Sequence, residues 1–354
     1  MTKAELDNRK ILPLEDSWYR RVKEKLDGIA KPLDGLGKFE HLIAQIGAIE
    51  KTTKISIQKK AVLVMCADNG VVEEQVSQSG KEVTLAVAKA MGVNNSSVGK
   101  MAAVAGVDVI PVDIGIDTDE VIPGVLPRKV AKGTKNFAKE PAMTEEEVLK
   151  AIETGIQLVQ QCHREGYEIL ATGEMGIGNT TTSTAVAAAL LDLEVEQVTG
   201  KGAGLTDEAL KRKCRVIEEA IEKYFLRDAD AFTILKTVGG LDIAGLTGVF
   251  IGAAIEQIPV VIDGVISAVA ALLAETLCKG AVNYMIPSHK SRELAETAIM
   301  KKLHLDPVLD ADMALGEGTG AVMMMSLLDV ALGVYLQGAS FANFEIEQYK
   351  RYEE

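Results

Sequence analysis

At 354 residues, 47% hydrophobic and 25% charged, the chain has the balance of a globular protein and room for one large domain or two smaller ones. A net charge of −13 and an aromatic content of 4% argue against a nucleic-acid partner, which calls for a basic surface and stacking rings. The start MTKAELDNRK has no apolar leader, and Cys66, Cys162, Cys214 and Cys278 are scattered without disulfide or metal spacing, so a reducing cytoplasm is expected.

In chain order, residues 1–50 read as mostly amphipathic helix, broken at 31–37 (KPLDGLG), where proline and glycine mark a loop. The run 61–67 (AVLVMCA) is short and continuously apolar, as in a strand buried on both faces, and ends at Asp68-Asn69-Gly70. Residues 82–103 look helical, and 107–114 (VDVIPVDI) form a second strand ending at Gly115. Thr144 with Glu147 is a capping box that opens a helix over 144–165. A third strand, 168–172, runs into Gly173, and a helix follows from about Asn179. Residues 207–224 form a charged helix, while 238–256 carry small residues suited to close helix packing. Strand 259–263 ends at Asp263-Gly264, and 282–287 form a last strand before Ser288–Ser291. The tail 345–354 reads as a solvated helix end. The apolar windows 259–278 and 321–336 are interrupted by acids and read as core, without a membrane span.

Apolar strands alternating with helices predict an α/β fold, a Rossmann-like parallel sheet flanked by helices. Ligands bind such sheets beyond the carboxyl ends of the strands, where Asp68, Asn69, Asp113, Glu174, Asp263 and 288–291 fall.

Three glycine clusters open helices there. GEMGIGNTTT (173–182) has the form of a phosphate turn without being a Walker loop or GxGxxG, a tight structural turn being the alternative. GKGAG (200–204) precedes Lys211, Arg212, Lys213 and Arg215. Lys213 or a neighbour would neutralise a phosphate there, unless this is a solvated basic face. The third cluster, LGEGTGA (315–321), and the first each hold a carboxylate, Glu317 and Glu174, inside an apparent anion cradle. A phosphate beside either would be repelled, so these groups face away from it or do acid–base work on something neutral. His289 beside Lys290 and Arg292 is an anion ligand or a lone surface histidine. There is no GxSxG, HExxH or plausible cysteine nucleophile.

Together the blocks KPLDGLGKFE (31–40), ADNGVVEEQVS (67–77), VDIGI (112–116), RKVAKGTKNFAKEPAMT (128–144), GEMGIGNTT (173–181), GKGAGL (200–205), VGGLDIAGLTG (238–248), SHKSRE (288–293) and LGEGTGA resemble the nicotinate-nucleotide–dimethylbenzimidazole phosphoribosyltransferase family. The resemblance implies transfer of phosphoribosyl from nicotinate mononucleotide to a ring nitrogen of a lower-ligand base, with inversion at C1′, for cobamide biosynthesis. It implies Glu317 as the base that takes the acceptor's proton and Glu174 as a second active-site glutamate. Gly176, Gly178, Asn179, Thr180, Gly202, Gly204, Lys213, Asp263 and Ser291 would hold phosphate and ribose. Ser77, Ser79, Gly80 and Leu315 would form the acceptor pocket. No cofactor or metal is implied. A large α/β domain (61–320) and a small helical domain from both ends (1–60 and 321–354) are expected, in a homodimer or in a heterodimer with a homologous chain. The chain departs from the family pattern at 77–82 (SQSGKE), where an aromatic and a proline are usual, and at ADNG for ADHG. That keeps a purine, phenol or p-cresol acceptor open, the phenolic one as half of an unlike pair, and also a non-catalytic partner subunit.

Overall fold

The computed structural model describes residues 1–202 and 204–351. Six parallel strands, β1 (Lys60–Ala67), β2 (Val107–Gly115), β3 (Leu126–Pro127), β4 (Ile169–Met175), β5 (Val260–Ile262) and β6 (Met285–Pro287), form one sheet in the order β3-β2-β1-β4-β5-β6. Every residue of β1 is buried, which is why its sequence from Ala61 on is an unbroken apolar run, while the buried Lys60 at its start pairs with Asp329 (3.0 Å). The chain builds outward from β1 to β3, then crosses to β4 and builds the other way. A crevice therefore opens between the carboxyl ends of β1 and β4.

Helices cover both faces. Glu145–Arg164, Asn179–Leu191, Leu241–Glu256 and Val265–Leu277 bury apolar side chains on one side; Asp16–Asp27, Lys38–Ile49, Ser97–Ala105 and Thr319–Gln337 do so on the other. The expected capping box is present: Glu147 N–H donates to Thr144 Oγ1 (3.2 Å), and Thr144 N–H donates to the Glu147 carboxylate (2.7 Å). The small residues of Leu241–Glu256 let two helix backbones touch, since a Cβ on Gly248 would lie 2.0 Å from the Ile152 carbonyl oxygen. Thr319–Gln337 is, among the described residues, the one helix long and apolar enough to cross a membrane. It packs Val322, Met325, Leu328, Leu332 and Tyr335 into the core beside the sheet.

Several boundaries differ from expectation. Residues 82–103 are two helices, Glu82–Gly92 and Ser97–Ala105, because Asn94 is left-handed and Ser96 caps the second through Gly99 N–H. The 282–287 strand starts only at Met285, after a 3₁₀ turn. A second, two-stranded sheet, β7 (His289–Ser291) with β8 (Leu309–Met313), was not anticipated, because both strands are short and neither is a continuous apolar run. The tail 345–351 is not helical. It lacks an apolar stripe to support a turn, and Arg351 instead forks onto Asp27 and Asp34. Lys23 ties Asp34 to the buried Glu40, and Ala30 N–H reaches the Ala339 carbonyl (2.8 Å), so the two chain ends meet.

Candidate active site

The crevice holds a cavity of about 210 Å³. Glu174, Asn179, Thr180, Ser291, Glu293 and Glu317 supply its polar wall, and Met175, Ile177, Val265, Ile266 and Leu315 its apolar wall. A smaller space of about 70 Å³ adjoins it through Gly176, Ile177, Asn179, Thr180 and Gly202, and is closed by Ser77, Gln78, Lys201 and Leu205.

Glu174 does not sit in a glycine turn as the sequence suggested. It belongs to β4, paired in register with Met65, and the turn begins only at Gly176. Gly173 is a strand residue whose missing side chain serves another purpose. A Cβ there would lie 2.5 Å from the Glu317 carbonyl oxygen and 2.9 Å from Gly318 N. The 315–321 turn is thus pressed directly on the β4 backbone.

That turn is unusual in its own right. Gly316, Glu317 and Gly318 are all left-handed, with φ of 82°, 62° and 91°. Such a conformation costs a non-glycine residue energy and persists only when its surroundings hold it. Asp263, at the end of β5, does the holding. Its carboxylate accepts N–H bonds from Gly318 (3.1 Å), Gly320 (2.8 Å) and Ala321 (3.1 Å). The anion cradle legible at 315–321 is therefore real, but the chain's own aspartate fills it. Asp263 was expected among the nucleotide ligands. Its carboxylate is instead bound to the helix N-terminus, although the residue also borders the cavity. Burial raises its hold on a proton, opposed by the charge of His289 and the three amides. His289 is buried, not a surface residue: its Nδ1 lies 2.9 Å from Ser288 Oγ, and burial lowers its pKa. Glu317 points away from the cap, where its Oε2 accepts the Val98 N–H (2.9 Å) at the start of Ser97–Ala105.

The Asn179–Leu191 helix starts at the cavity with no side-chain cap. Beside it the Lys213 side chain is fully buried, not part of a solvated face, with Nζ on Thr180 Oγ1 (3.0 Å) and the Gly200 carbonyl (3.2 Å). Burial pulls this ammonium down to about 8, with the Glu293 charge opposing. Gly202 N–H, in the second glycine cluster, donates to Glu293 Oε1 (3.1 Å).

Beneath the cavity, Asn179 Nδ2 donates to Glu174 and to Asp242 (3.1 Å to the latter). Burial pushes Glu174 up to about 8, helped by the charge of Asp242 and, further off, Asp263 and Glu317. Asp242, also raised by burial, reaches about 6. Of the two, burial makes Glu174 the one that holds its proton to higher pH.

Of the residues singled out from sequence, Glu174, Gly176, Asn179, Thr180, Gly202, Asp263, Ser291, Leu315 and Glu317 line the main cavity. Gly178 and Ser77 line only the smaller one, and Lys213 stands behind Thr180. Gly204 accepts a bond from Gln78 through its carbonyl. Ser79 and Gly80 line neither space: their N–H groups bond within their own loop, to Ser77 Oγ and Glu82. Cys162 and His163, adjacent in sequence, face apart, one into the core and the other onto Glu256 at the surface. Sequence reasoning missed Asp242 and Glu293. Asp242 carried a signal, an acid opening a helix after Gly239-Gly240; Glu293 carried none of its own.

A phosphoribosyltransferase family model matches residues 11–346. The nicotinate-nucleotide–dimethylbenzimidazole phosphoribosyltransferase of Acetivibrio thermocellus is 45% identical over 93% of this chain and 94% of its own length. The enzyme of the same name from Chloroflexus aggregans is 42% identical over 96% of each. The crystal structure of CobT from Thermus thermophilus superposes with a TM-score of 0.89 at 34% identity, covering 94% of this chain and all of that one.

Proposed function

Because the chain belongs to this phosphoribosyltransferase family, we propose that it moves the phosphoribosyl group of nicotinate mononucleotide onto a dimethylbenzimidazole-like base. The product is an α-riboside 5′-phosphate for cobamide assembly. The observation that carries this reading is one cavity that brings Glu174 and Glu317, two unlike carboxyl groups, beside an uncapped helix N-terminus with a buried lysine behind it. Glu174 keeps a proton there, and Glu317 is held by a helix amide.

The phosphate lies at the start of Asn179–Leu191, within reach of Thr180, Gly202 and the ammonium of Lys213. The ribose and nicotinate lie against Glu174. A neutral carboxyl donates a hydrogen bond there, where a second carboxylate would repel that of nicotinate. The C1′–N bond to nicotinate breaks, and its electron pair stays on the pyridine nitrogen, so this leaving group needs no acid. The imine-type nitrogen of the acceptor attacks C1′ from the opposite face, which inverts the configuration. The cation so formed gives its N–H proton to Glu317, whose Oε2 accepts the Val98 N–H, which leaves Oε1 as the oxygen to take it. The acceptor's ring occupies the apolar wall near Leu315 and Met175, with Ser77 and Gln78 at the adjoining space.

The protein works in the cytoplasm as a dimer of like or unlike chains. Exposed Val104, Met323 and Val330, on two adjacent helices, and Leu315 at the cavity rim support a subunit contact. The test is a product assay of the purified chain with nicotinate mononucleotide and, separately, dimethylbenzimidazole, adenine, phenol and p-cresol. Fastest nicotinate release with dimethylbenzimidazole is expected. Preference for a phenol would replace the acceptor assignment, and no release with any acceptor would refute catalysis by this chain alone.

A further inference from the structure

We propose that Glu293 is a built-in stand-in for the donor's phosphate, occupying the backbone of Gly200 and Gly202 in the ligand-free protein and leaving when the phosphate enters. This rests on the reading above, which puts the phosphate at that turn.

Glu293 Oε1 accepts the Gly202 N–H at 3.1 Å, and a Cβ on Gly200 would lie 1.9 Å from Oε2, so the carboxylate rests against bare backbone. Its charge also offsets part of the burial acting on Lys213. A carboxylate that accepts the Gly202 amide and whose charge is felt by the Lys213 ammonium supplies what a phosphate would bring, a negative acceptor at this turn. The two anions cannot share the turn, because at contact distance their repulsion exceeds any gain.

Glu293 is placed to leave. It is half-buried at the cavity wall, and its backbone is tied separately, by its own N–H to Ser291 Oγ (3.2 Å), so the side chain can swing without moving β7. Asp263, the other carboxylate in a glycine turn, is fully engaged by three amides and stays. The exchange selects for phosphate. A phosphate restores the bonds that Glu293 gives up, whereas a nucleoside lacking it leaves the carboxylate in place.

The experiment is calorimetric titration of inorganic phosphate and of nicotinate mononucleotide into the full chain and its Glu293→Gln, Glu293→Asp and Lys213→Met variants. The Gln side chain is a poorer occupant, and Asp keeps the charge but is too short to reach Gly202. Both should bind phosphate ~10-fold tighter or more, the factor one charge-assisted hydrogen bond corresponds to. The KM for nicotinate mononucleotide should fall with it, while nicotinate riboside affinity stays put. Unchanged or weaker phosphate binding in both Glu293 variants overturns the proposal. Lys213→Met tests the underlying reading separately: if it binds phosphate as the wild type does, the phosphate is not at this turn.

Discussion

Replacing Asp263 separates a turn-holding role from a ligand role. In Asp263→Ala three buried amides, those of Gly318, Gly320 and Ala321, lose their acceptor together. A buried donor left unpaired costs ~1–3 kcal/mol. Water entering from the cavity recovers part of that, which leaves a loss of about 3–5 kcal/mol for the three amides together. In Asp263→Asn the amide oxygen can still serve Gly320 and Ala321, as Oδ1 does, but its NH₂ then faces the Gly318 N–H. One bond is lost and two donors oppose each other, so about 2 kcal/mol is expected, including the lost charge at the helix N-terminus. Urea unfolding gives the stabilities, and steady-state kinetics with nicotinate mononucleotide gives the rest. Gly318 follows Glu317 directly, so kcat should fall more than the KM for the nucleotide rises. Wild-type stability in the Asn variant, with a large rise in KM, would refute the argument and return Asp263 to the ligand set.

Glu317→Ala should cost a factor on the order of 10² to 10⁴ in kcat while nucleotide affinity holds, read by turnover and calorimetry; wild-type turnover would remove its role as base. Gly173→Ala drives a Cβ into the backbone of the 316–318 turn and should cost ~1–3 kcal/mol together with much of the activity. Unfolding midpoints and kcat unchanged from wild type would show that the turn can yield. Glu174, near 4.5 when unfolded and about 8 when folded, gives the native state an extra proton between those values. The stability this contributes is full below about 4.5 and is lost as pH rises through about 8. Glu174→Gln should therefore flatten the stability profile across pH 5 to 8.5 in urea titrations; parallel profiles would place the proton elsewhere.

The inner strands of the sheet were legible because they are buried on both faces, so burial writes itself as runs such as 61–67, while the two-residue edge strand β3, half-exposed, gave no such run and was missed. The Thr144 capping box was legible because both partners lie within four residues. Lys213 could have been read more firmly. It falls on the same helical stripe as Val216, Ile217 and Ala220, which a solvated lysine would avoid. The roles of Asp263 and Glu293 were hidden for the opposite reason. Their partners lie 55 to 58 and 91 residues away, and nothing local distinguishes a carboxylate that closes a distant turn from one that meets a ligand. β7 was invisible because three polar residues carry no period, whereas the alternation of β8, Leu-Asp-Ala-Asp-Met, was a signal too short to stand out from a loop.

The bare backbone at Gly173 works as a fixed spacer. Glu174 is its neighbour in β4, and Glu317 is held against it main chain to main chain, with no side chain in between to flex. If the surrounding helices shift as substrates come and go, the two carboxyl groups travel as one body. Only rotation about their own side-chain bonds can change the gap between them. A substitution at Ser77 or Gln78, which border the adjoining space, would then leave untouched the spacing on which proton removal depends.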